Sequence, residues 1–263
     1  MKTILLTFDV EEFDLPKEFG LNISKEDMSK IPAEGVKKMI VLLKKHKIMA
    51  TFFATAYFAL KNKNLIKQIK KEGHEIALHG YLHEHNYKKM SEKEALYYLK
   101  KGKQEIEKIT GTRILGFRAP RMMPPAYSVL QECGIKYDSS IHPTYIPGRY
   151  NYFFKTRKIT IKNNIVSIPL STTPLIRLPF SWLWFRNLGL TYAKFCTLIS
   201  FADVNFINLF FHPWDFINLK KFKLPFLIKN NTGDKCINML ENYILWCKKS
   251  KYEFKTIGKY LNL

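Results

Sequence analysis

Three histidines lie within seven positions of the stretch EIALHGYLHEHN, which spans residues 75–86. His79 and His83 are four residues apart, so one helical turn after an apolar strand would place both imidazoles on one face. Two-histidine metal sites use this spacing, and a nearby carboxylate would leave positions open for water and substrate. Alone, the pair is a weak signal, because two histidines at this spacing more often lie on a surface without a metal. His85 is expected to point elsewhere as a loop residue, and His74 to be structural.

A carboxylate partner could come from the segment FDVEEFD, residues 8–14. Strand alternation places Asp9 and Glu11 on one side of this segment, and Val10 and Glu12 on the other. One carboxylate could then bind a metal while another remains free to take a proton. Glu11 is the expected ligand, and Glu12 is the alternative.

Further polar residues fall at the ends of predicted strands. Seven short apolar runs are typical of parallel strands covered by helices, and they span residues 3–9, 49–55, 74–79, 114–120, 135–140, 165–170 and 205–212. Asp9, His79, Arg118, Asp138 and His212 lie at or near the ends of five of these runs. Because the carboxyl ends of parallel strands converge on one face, we expect these five side chains to lie in one site.

Amphipathic segments separate the apolar runs, and this alternation predicts an α/β fold built as a barrel or an open sheet. A length of 263 residues fits one domain over residues 1–263. The stretch at about 141–164 is rich in tyrosine and basic residues and is expected to be an irregular insertion.

The formal charge of +21 would suit nucleic acid, an anionic membrane or a phosphate-bearing substrate. The lysines are scattered along predicted helices, which favours solvated faces, and no nucleic acid partner is expected. Four cysteines without a C-x-x-C pair predict buried, reduced thiols. The first six residues run into acidic positions without a long apolar region or a cleavage site, which predicts a first strand and a cytoplasmic location.

The most apolar region, residues 174–211, is interrupted by charges, so no membrane-spanning helix is expected. Residues 177–186 nevertheless combine tryptophans with arginines, which suits contact with a membrane interface. A buried loop cover is the alternative interpretation of this stretch.

Five short motifs resemble, in order, those of the polysaccharide deacetylase family, also known as NodB homology proteins or carbohydrate esterase family 4. They are TFDVEEF (7–13), HGYLH (79–83), RAP (118–120), YDSS (137–140) and FFHPWDF (210–216). The resemblance implies a distorted (β/α) barrel of about seven parallel strands. It also implies metal-dependent removal of acetyl groups from N-acetylated amino sugars, usually with Zn²⁺.

The resemblance also implies roles for individual residues. Asp9 would be the general base and Arg118 would orient it. Asp138 would orient His212, the general acid. The metal ligands would be His79, His83 and, by the D-x-E pattern of one branch of the family, Glu11.

The chain departs from the usual family pattern at three positions, one of which is Phe210, where the fifth motif usually has leucine. Val10 stands where the first motif usually has a second aspartate, and Gly80 stands where the second motif usually has serine or threonine. The segments HPWD and IPLSTTP resemble a branch associated with bacterial surface-glycan assembly.

The sequence thus predicts a metal-dependent deacetylase of bacterial surface-polysaccharide or glycolipid biosynthesis. Its substrate would be a nucleotide-linked or lipid-linked N-acetylated sugar, met at the cytoplasmic face of a membrane. One alternative is an amidase that cleaves a non-sugar C–N bond. The other is a catalytically inactive, basic binding module.

Overall fold

The seven apolar runs form strands of one curled sheet in the computed structural model, which describes residues 1–263. In chain order the strands are β1 (Thr3–Val10), β2 (Thr51–Ala54), β3 (Glu75–Leu78), β4 (Gly116–Phe117), β5 (Tyr137–Asp138), β6 (Tyr145–Ile146), β7 (Tyr150–Asn151), β8 (Thr160–Lys162), β9 (Ile165–Ser167), β10 (Phe206–Phe211) and β11 (Glu253–Phe254). The sheet order is β10-β1-β2-β3-β4-β5-β9-β8, with β11 on β1, and only β8 and β9 pair antiparallel within it. The predicted α/β class and curled, mostly parallel architecture are confirmed.

Helices follow most of the parallel strands. They are α1 (Lys25–Lys45), α2 (Ala56–Lys61), α3 (Lys63–Lys71), α4 (Glu92–Thr110), α5 (Tyr127–Glu132), α6 (Trp182–Ser200), α7 (Phe226–Lys229), α8 (Asp234–Lys249) and α9 (Ile257–Leu261). Short 3₁₀ turns occupy Leu15–Phe19, Pro120–Met122 and Pro213–Phe216. None of the helices combines the length and apolarity needed to cross a bilayer.

The two faces of the sheet pack against different partners. Alternate residues of β1, such as Ile4 and Phe8, belong to a cluster of 47 buried residues between the sheet and the helices. Leu5 belongs instead to a smaller cluster of 8 residues, which also contains Phe53 and Tyr137. Alternation along each strand therefore decides which side chains face the helices and which face the inside of the curl.

The 141–164 stretch is more regular than the sequence predicts. Strands β6 and β7 form an antiparallel hairpin, and β8 pairs with β9 at the edge of the main sheet. The stretch is rich in tyrosine and contains β-branched residues, which favour strands, and this preference explains why it is not irregular.

His74 is buried directly before β3, as expected for a structural histidine, and it has a consequence for acid stability. Its Nδ1 accepts a hydrogen bond from the backbone N–H of Ala50 at 3.3 Å, and its Nε2 has no partner. Burial lowers the pKa of His74 to about 4. Between about pH 4 and 6.5 the unfolded chain therefore binds more protons at this residue, so the free energy of unfolding rises with pH by roughly 2–3 kcal/mol.

We expect His74→Asn, which keeps an acceptor but cannot titrate, to flatten this rise. Urea unfolding at two pH values on either side of the window measures the difference. An unchanged pH dependence in the variant would assign the effect to other groups.

Candidate active site

The end of β1 carries a carboxylate that is held by a fully buried arginine. Asp9 accepts a hydrogen bond from Nη1 of Arg118 at 2.6 Å. Arg118 also donates to Thr7 and Ser139, and its guanidinium lies 4.1 Å from the ring centre of Phe53. Burial alone would raise the pKa of Asp9, but the charge and hydrogen bond of Arg118, together with His79 and His212, outweigh it and hold that pKa below its ordinary value. Asp9 is therefore an ionised carboxylate of fixed orientation.

Glu11, the first residue beyond β1 on the same side, lies between the two histidines of the HGYLH segment. Its Oε2 is 2.6 Å from Nε2 of His79, and its Oε1 is 3.3 Å from Nε2 of His83. The two imidazoles are nearly parallel, with ring centres 6.3 Å apart. The structure thus brings together the two histidines and the carboxylate that the four-residue spacing and strand alternation single out.

Glu12 occupies a different environment. Its Oε2 accepts a hydrogen bond from the hydroxyl of Thr55 at 2.8 Å, and burial raises its pKa. It does not line the cavity that contains Asp9 and Glu11. Of the two carboxylates left open by the sequence, only Glu11 reaches both histidines.

His83 has a second carboxylate on its other ring nitrogen. Its Nδ1 lies 2.7 Å from Oδ1 of Asp14, a residue that the sequence argument did not single out. Burial alone would lower the pKa of His83, but Glu11 and Asp14 raise it to about 9. The sequence offers one indication of this role, since Asp14 is the last residue of the acidic segment FDVEEFD that also contains Asp9 and Glu11.

The chemistry of this donor set suits a divalent metal. Two imidazoles and one carboxylate are a common ligand set for zinc with open positions. The contact of Asp14 with Nδ1 of His83 would hold the imidazole in place, as carboxylates commonly do for histidines that bind a metal. Glu11 contacts each of the two histidines, and no group of His, Cys, Asp or Glu side chains is spaced as a ready-made metal cage. Binding would therefore require Glu11 and His79 to separate.

His212 follows β10 and faces the same cavity. Its Nε2 is 3.7 Å from Oε1 of Glu11. The imidazole stacks on Trp214, with ring centres 4.4 Å apart, and meets the edge of Trp182 at 4.9 Å. Its backbone N–H donates to Asp215 at 2.8 Å, whereas its Nδ1 has no hydrogen-bond partner. Aromatic packing, together with the backbone contact, fixes the position of this imidazole.

The expected contact between Asp138 and His212 is absent. The carboxylate of Asp138 instead accepts hydrogen bonds from Ser140 and from the hydroxyl of Tyr127, the latter at 3.2 Å. Burial raises the pKa of Asp138 to about 6. Because Tyr137 faces the inside of the curl, alternation turns Asp138 towards α5. The orienting role predicted for Asp138 is wrong in this geometry.

Ser139, the next residue, reaches the site in place of Asp138. Its hydroxyl accepts a hydrogen bond from Nη2 of Arg118 at 3.0 Å and another from Nδ2 of Asn208 at 2.9 Å. The YDSS motif therefore contacts the Arg118–Asp9 pair through its first serine and not through its aspartate. Strand alternation could have predicted this, because Tyr137 and Ser139 are two residues apart and lie on the same face of the strand, whereas Asp138 lies on the other face.

His142 is a further residue that the sequence argument missed. It is buried, lines the same cavity, and its Nδ1 lies 2.8 Å from the hydroxyl of Tyr150. Burial, assisted by the charge of Arg118, lowers the pKa of His142 to about 3, so the ring is neutral. Its Nε2 has no partner within the chain.

A buried ion pair supports the segment that carries His212. Nε of Arg186, in α6, lies 3.0 Å from Oδ1 of Asp215, although the N–H direction is not aligned for a hydrogen bond. Both side chains are fully buried. Arg186 also donates to the carbonyl oxygens of Ile228 and Asn230, so one guanidinium joins α6, α7 and the 3₁₀ turn after His212.

Helix α1 packs on the same 3₁₀ turn from the opposite side. At Gly35 the helix approaches Pro213 so closely that an added Cβ would lie 2.0 Å from the carbonyl oxygen of Pro213. Only glycine fits at this crossing.

One cavity collects these groups. It is lined by Asp9, Glu11, His79, His83, His142 and His212, and its outer wall includes Arg121, Arg149, Leu183, Trp184 and Ile228. The cavity thus combines three donors that suit a metal, the ionised carboxylate of Asp9 and the imidazole of His212. Such a combination can support hydrolysis of an amide or ester bond.

Comparison with known proteins agrees with this class of site. The family model for polysaccharide deacetylases matches residues 1–137, more than half of the chain. The chain belongs to the polysaccharide deacetylase family.

Among curated relatives, the chain is similar to the peptidoglycan deacetylase of Helicobacter pylori, with 31% identity over 116 residues, 43% of this chain and 39% of the relative. It is also similar to the peptidoglycan-N-acetylglucosamine deacetylase of Bacillus cereus, with 32% identity over 104 residues, 40% of this chain and 35% of the relative. The match thus spans little more than a third of these curated relatives.

Among solved structures, a putative polysaccharide deacetylase from Mycobacterium smegmatis aligns with a TM-score of 0.69 at 20% identity, over 98% of this chain and 89% of that one. At this level of identity the likeness concerns the fold.

Proposed function

We propose that the chain is one catalytic domain that removes the acetyl group from an N-acetylated amino sugar with the help of a divalent metal. The chemistry of the ligands favours zinc. The observation that carries the proposal is the contact of Glu11 with both His79 and His83 in a cavity shared with Asp9 and His212. Binding alone would require none of these groups, so a catalytically inactive module accounts for the site less well.

The residues of the chain divide the chemistry between two sides of the cavity. Oδ1 of Asp9 is engaged by Arg118, which leaves its other oxygen to take a proton from the attacking water. His212 would donate a proton to the leaving amine, and its stacking on Trp214 keeps the imidazole in place. A metal held by Glu11, His79 and His83 would polarise the acetyl carbonyl and acidify the water.

Two arginines favour an anionic substrate. Arg121 and Arg149 both line the outer wall of the cavity, and both lie close to Glu18. Guanidinium groups recognise phosphate oxygens well, so the sugar would be linked to a nucleotide or to a lipid through phosphate. This fits a role in bacterial surface-polysaccharide or glycolipid biosynthesis.

Acetate release tests the proposal. Zinc-loaded protein is incubated with nucleotide-linked and lipid-linked N-acetylglucosamine, and both acetate and the free amine are measured. We expect Asp9→Asn, which keeps an acceptor for Arg118, to lower the rate about 10²–10⁴-fold, because the general base is lost.

His85→Ala is the matched control, because His85 lies near the ligand segment but outside the cavity. It should leave the rate unchanged. Hydrolysis of small cyclic or linear amides, with no acetate released from any sugar, would replace the proposal with a non-sugar amidase. An Asp9→Asn rate equal to wild type would remove Asp9 from the reaction.

A further inference from the structure

Four large apolar side chains are exposed beside the mouth of the cavity. Trp184 and Leu188 of α6 are 36% and 51% exposed, and Phe226 and Leu227 of α7 are 69% and 57% exposed. We call these four residues the apolar rim. Exposed apolar groups of this size that cluster on a soluble surface commonly mark a contact with a membrane or with another protein.

Hydrogen bonds hold the two halves of the apolar rim together. Nδ2 of Asn187 donates to the carbonyl oxygen of Leu227 at 2.9 Å, and Nη2 of Arg186 donates to that of Ile228, also at 2.9 Å. Helix α7 is thus fixed against the first turns of α6. The four residues of the apolar rim therefore form one surface, because hydrogen bonds fix the two helices that carry them.

The apolar rim borders the cavity directly. Trp184 lines the cavity itself, as does Ile228, the residue that follows the two exposed positions of α7. Whatever contacts the rim therefore lies next to the entrance used by the substrate.

Lysines dominate the charge around the apolar rim. The segment that precedes α7 carries three exposed lysines, Lys220, Lys221 and Lys223, and we call it the lysine loop. Between residues 204 and 233 the only acidic residue is Asp215, which is buried against Arg186. No acidic residue occurs between 139 and 202.

A basic depression of about 700 Å³ lies on the other side of α7. Lys220, Lys229 and Lys235 line it beside Phe226. Its one carboxylate, Asp234, lies 3.2 Å from a further lysine, Lys38. Lysines therefore outnumber the carboxylate in the depression that Phe226 lines.

Exposed aromatic and aliphatic side chains ringed by lysines suit the surface of an anionic bilayer, in which apolar groups enter the interface and lysines meet the headgroups. A second copy of this chain would fit less well, because two faces on which exposed lysines outnumber the one exposed carboxylate, Asp234, would repel each other in a protein of charge +21. We propose that the apolar rim and the lysine loop dock the protein on an anionic phospholipid membrane. This docking goes beyond the proposed catalysis and does not depend on it.

Co-sedimentation with vesicles tests the docking. We expect the protein to bind vesicles that contain phosphatidylglycerol and to bind vesicles of phosphatidylcholine alone much more weakly, with the difference reduced by salt. Replacing the three lysines of the lysine loop by glutamine should lower partitioning about 10²-fold. The double substitution Phe226→Ser and Leu227→Ser should lower it roughly tenfold or more, because two apolar side chains no longer enter the interface.

Matched substitutions elsewhere act as controls. Lys67, Lys70 and Lys71 are exposed on α3 and are changed together to glutamine, and the exposed Phe154 is changed to serine. Both controls should bind as wild type does. An equal loss in the α3 variant would overturn the assignment, because general attraction to the whole basic protein would then account for binding.

Trp184 supplies a second readout at the rim itself. Its indole should move to a less polar environment on docking, so the vesicle-induced blue shift of tryptophan fluorescence should be reduced in Trp184→Phe. A full shift in that variant would overturn the proposed orientation. A dimer in solution that dissociates in the Phe226→Ser, Leu227→Ser variant would make this face an interface between copies and would also overturn the proposal.

Discussion

Alanine at Glu11 is expected to leave the purified protein without a tightly held divalent ion. The wild-type protein, isolated without chelator, should carry about one ion per chain, the stoichiometry of a single-zinc site. Glu11 is the only carboxylate that reaches both His79 and His83. Its removal leaves two donors, so we expect the affinity to fall by more than about 10²-fold, the upper range for losing only an outer-shell partner. Elemental analysis and calorimetric titration with zinc measure the loss.

Glu12→Gln is the matched control for this experiment. Glutamine can still accept the hydrogen bond from Thr55, so the fold is preserved while the charge is removed. This variant should retain its ion. Retention in Glu11→Ala with loss in Glu12→Gln would reverse the assignment of the ligand. A wild-type protein that takes up no ion even when zinc is supplied would favour the basic binding module over the deacetylase.

Removing Asp215 is expected to cost about 3–5 kcal/mol of folding free energy, because Arg186 would be left as an unpaired buried charge. The cost should appear as a lower midpoint in urea unfolding of Asp215→Ala, compared with wild type under the same conditions. The substitution also removes the acceptor for the backbone N–H of His212, so the activity of the folded variant should fall as well.

A double variant separates charge from packing. Arg186→Met combined with Asp215→Leu removes both charges and should recover part of the stability lost in Asp215→Ala, since no uncompensated charge remains. The recovery should be incomplete, because the carbonyl oxygens of Ile228 and Asn230 lose their donor. A double variant as unstable as the sum of the two single substitutions would show that desolvated charge is not the source of the cost.

The pattern of the sequence was sufficient to predict which strand ends meet. Apolar runs and alternation predicted the parallel sheet and placed Asp9 and Glu11 on one side of it. The same alternation along β5 places Ser139 on the side of the site and Asp138 on the side of α5, although the sequence-based prediction assigned the role to Asp138.

Other features depended on tertiary contacts that no local pattern contains. The partner of Arg186 is Asp215, and 28 residues separate them in the sequence without a motif that links them. His142 follows β5 in a stretch that looked irregular, and only the return of the β6–β7 hairpin brings Tyr150 against it. Such pairings arise from how the loops cross and not from periodicity.

The crossing of α1 over Pro213 has a consequence for how the site tolerates variation. A methyl group at Gly35 would overlap the Pro213 carbonyl at 2.0 Å, so either the helix or the His212 segment would have to retreat by more than about 1 Å to restore ordinary contact. The position of the imidazole thus depends partly on a buried residue of the outer helix α1, which does not line the cavity. A mutational survey restricted to the cavity wall would overlook it, and an alanine at position 35 would act as a remote adjustment of the reaction geometry.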